Sequence, residues 1–124
     1  MKFGEAIQSA DWKKEKHVPV IEAPSSAKAG EAFKVTVSVG KEIPHPNTPT
    51  HYIAWIDVYF KPQDEKFLYQ VAHFDFTGHG AGPVCTDPQA TFAMTVEKPG
   101  TIVAVASCNI HGLWESSSAL ELEA

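Results

Sequence analysis

The sequence predicts an all-β fold, an immunoglobulin-like antiparallel β-sandwich of about seven strands. Three observations point there. Several short segments alternate apolar and polar residues with period two, as in Phe33-Lys34-Val35-Thr36-Val37-Ser38-Val39. Gly/Pro-rich turn signals separate them at regular intervals. No long stretch has the 3.6-residue periodicity of an amphipathic helix.

In chain order, residues 1–16 read as a short helical or irregular lead-in, broken at Asp11-Trp12. His17-Val18-Pro19-Val20-Ile21 is extended, its proline confining it to a sheet edge. Residues 23–30 have loop composition, and residues 33–39 form a half-buried strand. Three prolines in residues 40–50 exclude regular structure there. Residues 52–60, aromatic and β-branched, form a strand that turns at residues 61–65 into another at 67–76. Residues 77–89 make a Gly/Pro loop holding His79 and Cys85. Strands at 90–96 and 101–108 flank a Pro-Gly turn, and the last strand is expected at 119–123.

The 124 residues suit one domain spanning 1–124, with enough length for a real core. A composition of 44% hydrophobic and 20% charged residues is that of a globular chain. The net charge of -5 excludes a broadly basic nucleic-acid surface, although a local positive mouth is compatible with it. No apolar run reaches membrane-spanning length, and the N-terminus has no secretory pattern. A cytoplasmic location is therefore the expectation. In that compartment Cys85 and Cys108 are expected as free thiols.

The chemistry concentrates in Cys108-Asn109-Ile110-His111-Gly112-Leu113-Trp114-Glu115. A thiol and an imidazole three residues apart, at a strand end and before a glycine, form a two-ligand corner. Thiolate with imidazole suits iron, copper or zinc and argues against magnesium or calcium. The corner alone is weak, because such a pair often occurs without a metal.

Six histidines are present. His45 lies between Pro44 and Pro46, which hold it extended, and His51 follows just before a strand. Taken alone, either reads as a solvated loop histidine. His17 opens an apolar segment after Lys13-Lys14-Glu15-Lys16. His73, inside a strand, reads as a structural histidine, and His79 as a solvated one. Together His17, His45, His51, His111 and Cys108 sit at segment ends that could meet at one end of a sandwich. Such a set is too large for a closed four-coordinate zinc site, and with a divalent ion its net charge of about +1 would attract a small anion.

Three blocks then carry a family resemblance: Glu15-Lys16-His17-Val18-Pro19-Val20, Gly40-Lys41-Glu42-Ile43-Pro44-His45-Pro46-Asn47-Thr48, and Ser107-Cys108-Asn109-Ile110-His111-Gly112-Leu113-Trp114-Glu115. The chain resembles the superoxide reductases of the single-iron class, the neelaredoxins, related to the iron domain of desulfoferrodoxins. The resemblance implies a non-haem iron held by His17, His45, His51 and His111 in a plane, with Cys108 axial. It implies that Glu15 occupies the sixth position in the oxidised state and that Lys16 draws superoxide in. Reduction to hydrogen peroxide without oxygen production, rubredoxin or a similar electron donor, and a homotetramer are implied likewise. Backbone N–H groups of Ile110 and His111 are expected to hydrogen-bond the sulfur. Cys85 has no counterpart in these blocks.

Two other readings compete. A blue-copper carrier also uses a Cys…His corner on a β-sandwich, but it usually adds an axial methionine. The only methionines, Met1 and Met94, do not follow His111. A non-catalytic binding module with incidental histidines predicts a colourless, metal-free protein.

Overall fold

A computed structural model describes residues 1–124. Its strands, in chain order, are β1 (Pro19–Glu22), β2 (Ser26–Ala27), β3 (Phe33–Val39), β4 (Ile53–Pro62), β5 (Tyr69–Asp75), β6 (Gln89–Met94), β7 (Gly100–Cys108) and β8 (Gly112–Leu122). They form a three-stranded sheet, β1-β3-β6, and a five-stranded sheet, β2-β8-β7-β4-β5. All pairings are antiparallel except the short contact of β2 with β8.

The period-two pattern is what closes the two sheets on one another. Val35 and Val37 of β3 are buried, and so are Ile56, Val58 and Phe60 of β4 and Ile102, Ala104 and Ala106 of β7, while Lys34, Asp57 and Tyr59 point outward. Leu120 of β8 and Phe76, just after β5, complete the shared core. Burying one such aliphatic side chain contributes about 1.5–3 kcal/mol. A one-residue slip of any of these strands would turn its apolar set toward water, so the register is strongly specified.

One expectation needs correction. The final strand starts at Gly112 and not at residue 119, so β7 and β8 form one hairpin with Cys108 paired to Gly112. The serine run Ser116–Ser118 hides it, because serine has little strand preference; here Ser116 Oγ donates to the Pro19 carbonyl at 2.6 Å. The lead-in is short helical and irregular, as expected, with a 3-10 turn at Phe3–Ala6. Beyond it Gln8 pairs with the edge of β8, its N–H donating to Leu113 O at 3.0 Å and its carbonyl accepting Glu115 N–H at 2.8 Å.

Gly100 begins β7 where it passes close to β4. A Cβ there would collide with the Lys61 carbonyl oxygen and lie 2.7 Å from Phe60 Cζ. Gly100→Ala is expected to lower unfolding free energy by about 1–3 kcal/mol, through overpacking against backbone that cannot yield. Urea unfolding of the two proteins checks this, and an unchanged midpoint would contradict the close packing.

Candidate metal centre

Cys108 reaches its place through the core register. It is the next inward residue of β7 after Ile102, Ala104 and Ala106, and is only 3% exposed. The chain then reverses through Asn109-Ile110-His111 and enters β8 at Gly112, whose φ of +79° suits glycine. This turn folds His111 back over the thiol, so that His111 N–H donates to Cys108 Sγ at 3.4 Å. Of the two N–H groups expected to do so, His111's is the one observed. Asn109 ties the turn to the neighbouring loop by donating to Tyr52 O (3.1 Å) and Thr50 O (3.0 Å) and accepting Tyr52 N–H (2.8 Å).

The other three histidines come from segments with little freedom of their own. His17 is buried, two residues before the start of β1. His51 closes a tight turn, exchanging backbone hydrogen bonds with Thr48 at 2.9 and 3.3 Å. His45 stands between its two prolines, where Gly40, with φ of +91°, lets the chain pass so closely that a Cβ on it would lie 2.9 Å from His45 N.

The four rings form a square. Neighbouring centroids are 4.9 Å apart for His17–His45, 4.8 Å for His45–His51, 5.1 Å for His51–His111 and 4.8 Å for His111–His17. The His17–His51 diagonal is 6.4 Å. Ligand atoms of His17, His45, His51 and Cys108 all lie within 4.8 Å of one another. His111 Nδ1 joins them at 3.2 Å from His17 Nε2 and 3.7 Å from Cys108 Sγ. Adjacent nitrogens on a shared ion with bonds of about 2.1 Å would be roughly 3 Å apart.

Hydrogen bonds on the outer nitrogens settle which atoms face inward. His17 Nδ1–H donates to Glu15 Oε1 at 2.6 Å, and His45 Nδ1–H donates to the Pro46 carbonyl at 2.7 Å. Each leaves an Nε2 lone pair pointing at the centre. His45 Nε2 and His51 Nε2 are buried without any hydrogen-bond partner. Unpartnered buried polar atoms are rare, and two aimed at one point call for a cation. The donor set thus fits a soft or borderline transition-metal ion.

Burial holds the His45 imidazole down at about 4, with smaller contributions from the charges of His17, His51 and Lys16. Burial also lowers His51, aided by His111, Lys16 and His17. Lys16 is thus close enough for its field to reach both rings. Glu15 is held below the usual carboxylate range, first by the hydrogen bond from His17. Its carboxylate serves the outer side of His17, accepting that residue's backbone N–H (3.0 Å) as well as its ring N–H.

The remaining sequence candidates lie elsewhere. His73 is on the outer face of the five-stranded sheet, donating to Asp57 and, at 3.0 Å, to Asp75. It is satisfied, as expected of a structural histidine, and its pKa is raised first by the bond to Asp57. His79, expected to be solvated, instead stacks on Tyr52 at 3.6 Å and donates to Asn47 Oδ1 at 3.0 Å. Asn47 Nδ2 also donates to Thr86 O at 2.9 Å, joining the His45–His51 loop to the loop after β5. Loop composition carried no signal for that clamp. Both cysteines are free, with Cys85 exposed.

An unfolded His45 takes up a proton below its ordinary pKa of about 6.5, whereas in the folded, metal-free chain it does so only near 4. Stability from this group is present above the upper value and lost as pH falls through that window. His73 acts in the opposite direction, since its raised pKa favours the folded state at low pH. In a His73→Gln background, the urea midpoint of metal-free protein is expected to fall between pH 7 and pH 4.5. A flat midpoint would contradict a half-buried His45 that resists protonation.

The desulfoferrodoxin family model matches residues 9–117. The chain is 52% identical to a neelaredoxin from Megalodesulfovibrio gigas, covering 99% of this chain and 100% of that one. It is also 52% identical to a superoxide reductase from Pyrococcus furiosus, covering 96% and 99%. The fold superposes on the reduced form of a superoxide reductase (neelaredoxin) from Archaeoglobus fulgidus with a TM-score of 0.86, at 51% identity over 94% of this chain and 98% of that one. A match over nearly the whole length, carried by a site of this geometry, makes the chain a member of the desulfoferrodoxin family.

Proposed function

We propose that the chain, as one catalytic domain over residues 1–124, is a superoxide reductase whose single non-haem iron is held by His17, His45, His51, His111 and Cys108. The observation that carries this reading is the gathering of the His17, His45, His51 and Cys108 donor atoms within 4.8 Å of one another, with His111 Nδ1 beside His17 Nε2 and the sulfur. When bound, iron supplies the electron and a Lewis-acidic position for superoxide. Converting one superoxide to one hydrogen peroxide takes one electron and two protons.

The chain's own residues set the conditions for that step. Neutral imidazoles leave Cys108 as the only anionic donor, so the loaded centre keeps a net positive charge toward an anion. Cys108 sits on the core side, and the His111 N–H moderates its electron donation by hydrogen-bonding the sulfur. The Lys16 ammonium adds its field at the mouth and raises the local concentration of superoxide. Glu15 orients His17 in this structure. Were Glu15 to ligate a bound iron, it would first have to release that ring nitrogen, so its ligation would be a switch and not a fixed bond.

Rubredoxin or a similar small redox protein is the electron donor this reading implies, with a homotetrameric assembly and a cytoplasmic location. No helix is long and apolar enough to cross a membrane. A blue-copper site fits poorly: Met1 is 94% exposed, Met94 lies on β6 in the other sheet, and four imidazoles exceed what such a site uses. A non-catalytic module leaves the two orphaned nitrogens unexplained.

Elemental analysis is expected to find iron at about one per chain; stoichiometric copper would instead support the electron carrier. Lys16→Ala is expected to slow the second-order reaction with superoxide by about tenfold at low salt and to weaken its ionic-strength dependence. Pulse radiolysis measures both, and an unchanged rate at low salt would remove Lys16 from the mechanism.

A further inference from the structure

Trp114 lies against the centre without being a donor to it. Its indole stacks on the His17 ring, with centroids 4.9 Å apart and planes 14° from parallel. Its Nε1–H donates to the His111 carbonyl at 3.1 Å. Trp114 therefore touches two adjacent members of the histidine square, one through a ring face and one through the backbone.

The tryptophan is itself fixed. In β8 it pairs with Ala106 of β7 on one side and with Gln8 on the other. Hydrogen bonds from Gln8 N–H to Leu113 O and from Glu115 N–H to Gln8 O bracket it. An indole anchored on both strand edges makes a rigid wall. His17 then has three restraints: Trp114 against its face, Glu15 on Nδ1, and its own backbone N–H bound to the same carboxylate. A flat ring with its plane and one edge fixed has little rotational freedom left.

We propose that Trp114 is a positioning residue, whose stacked face holds the His17 ring plane so that Nε2 stays aimed at the metal. This rests on His17 and His111 being ligands. Glu15 alone fixes one point on the ring and leaves rotation about the Nδ1 hydrogen bond open, and the indole face closes that rotation. A site built this way binds its metal without first ordering the ligand, which slows metal loss. The function of the N-terminal segment follows from the same contacts: Gln8 braces the wall.

The test compares iron-loaded wild type, Trp114→Phe and Trp114→Leu. The first-order loss of ferrous iron to an excess of chelating dye is followed together with the thermal midpoint of each protein and the thiolate-to-iron absorption of its oxidised form. Trp114→Leu is expected to lose iron on the order of tenfold faster, with a shifted absorption band. Trp114→Phe keeps a stacking face and is expected to restore both the rate and the band, even where the two variants share a lowered midpoint. Equal rates in wild type and Trp114→Leu would overturn the proposal, and so would equally fast loss from both variants. Wild type that binds no iron would sink the ligand assignment and the proposal with it, and is told apart by the initial loading.

A second measurement holds should Trp114→Leu fail to fold. In the Trp12→Phe/Trp55→Phe double variant, Trp114 is the sole emitter of the chain's three tryptophans. Its fluorescence is expected to rise several-fold when iron is extracted from the folded protein, because the stacked indole lies within quenching range of the ion. Emission that is the same with and without iron would place the indole away from the centre in solution and overturn the proposal.

Discussion

Crowding of inward-facing donor atoms is the constraint on which this structure turns. Ring nitrogens of His17, His45 and His51 and the Cys108 sulfur lie within 4.8 Å of one another, and His111 Nδ1 is 3.2 Å from His17 Nε2. Neutral donors do not gather in this way for their own sake; each would be better hydrated apart. Their convergence makes energetic sense as half of a bond, with a cation as the other half. The lowered pKa values of His45 and His51 are the same fact in another form: the protein has made protonation of these rings unfavourable.

Holding such a set together requires a scaffold that resists it, and the sandwich supplies one in layers. Cys108 is an extension of the hydrophobic register of β7, so moving it would disturb the core. His45 and His51 sit on a loop stiffened by prolines and clamped by Asn47. Around these, Pro46 O and Glu15 accept from the outer ring nitrogens of His45 and His17, and each bond fixes both a tautomer and a direction. Outer partners of this kind commonly govern metal affinity as strongly as the ligands do.

The strands were legible in the sequence where burial alternates, as in Phe33–Val39, because period two reports directly on which face is covered, and where aromatic and β-branched residues crowd together, as in residues 52–60. The start of β8 was not, since Ser116–Ser118 has neither apolar alternation nor strong strand preference, and its pairing is set by the hairpin with β7. The candidate donors were legible from residue type and from the motif blocks around them, yet spacing alone said nothing of their convergence. The squared arrangement comes from long-range packing between segments more than 90 residues apart, such as His17 and His111. Glu15 shows the limit most clearly. Its place in the motif points to the sixth position, whereas here it serves His17. His79 and Asn47 were missed because a loop's composition does not reveal which side chains cross-link it.

X-ray absorption at the iron edge of the reduced protein tests the central claim most directly, since it counts the donors that bind. One sulfur and four imidazole nitrogens, with the sulfur contribution abolished in Cys108→Ser and one imidazole lost in His111→Ala, is the expected result. A first shell without sulfur, or one unchanged by either substitution, would contradict it.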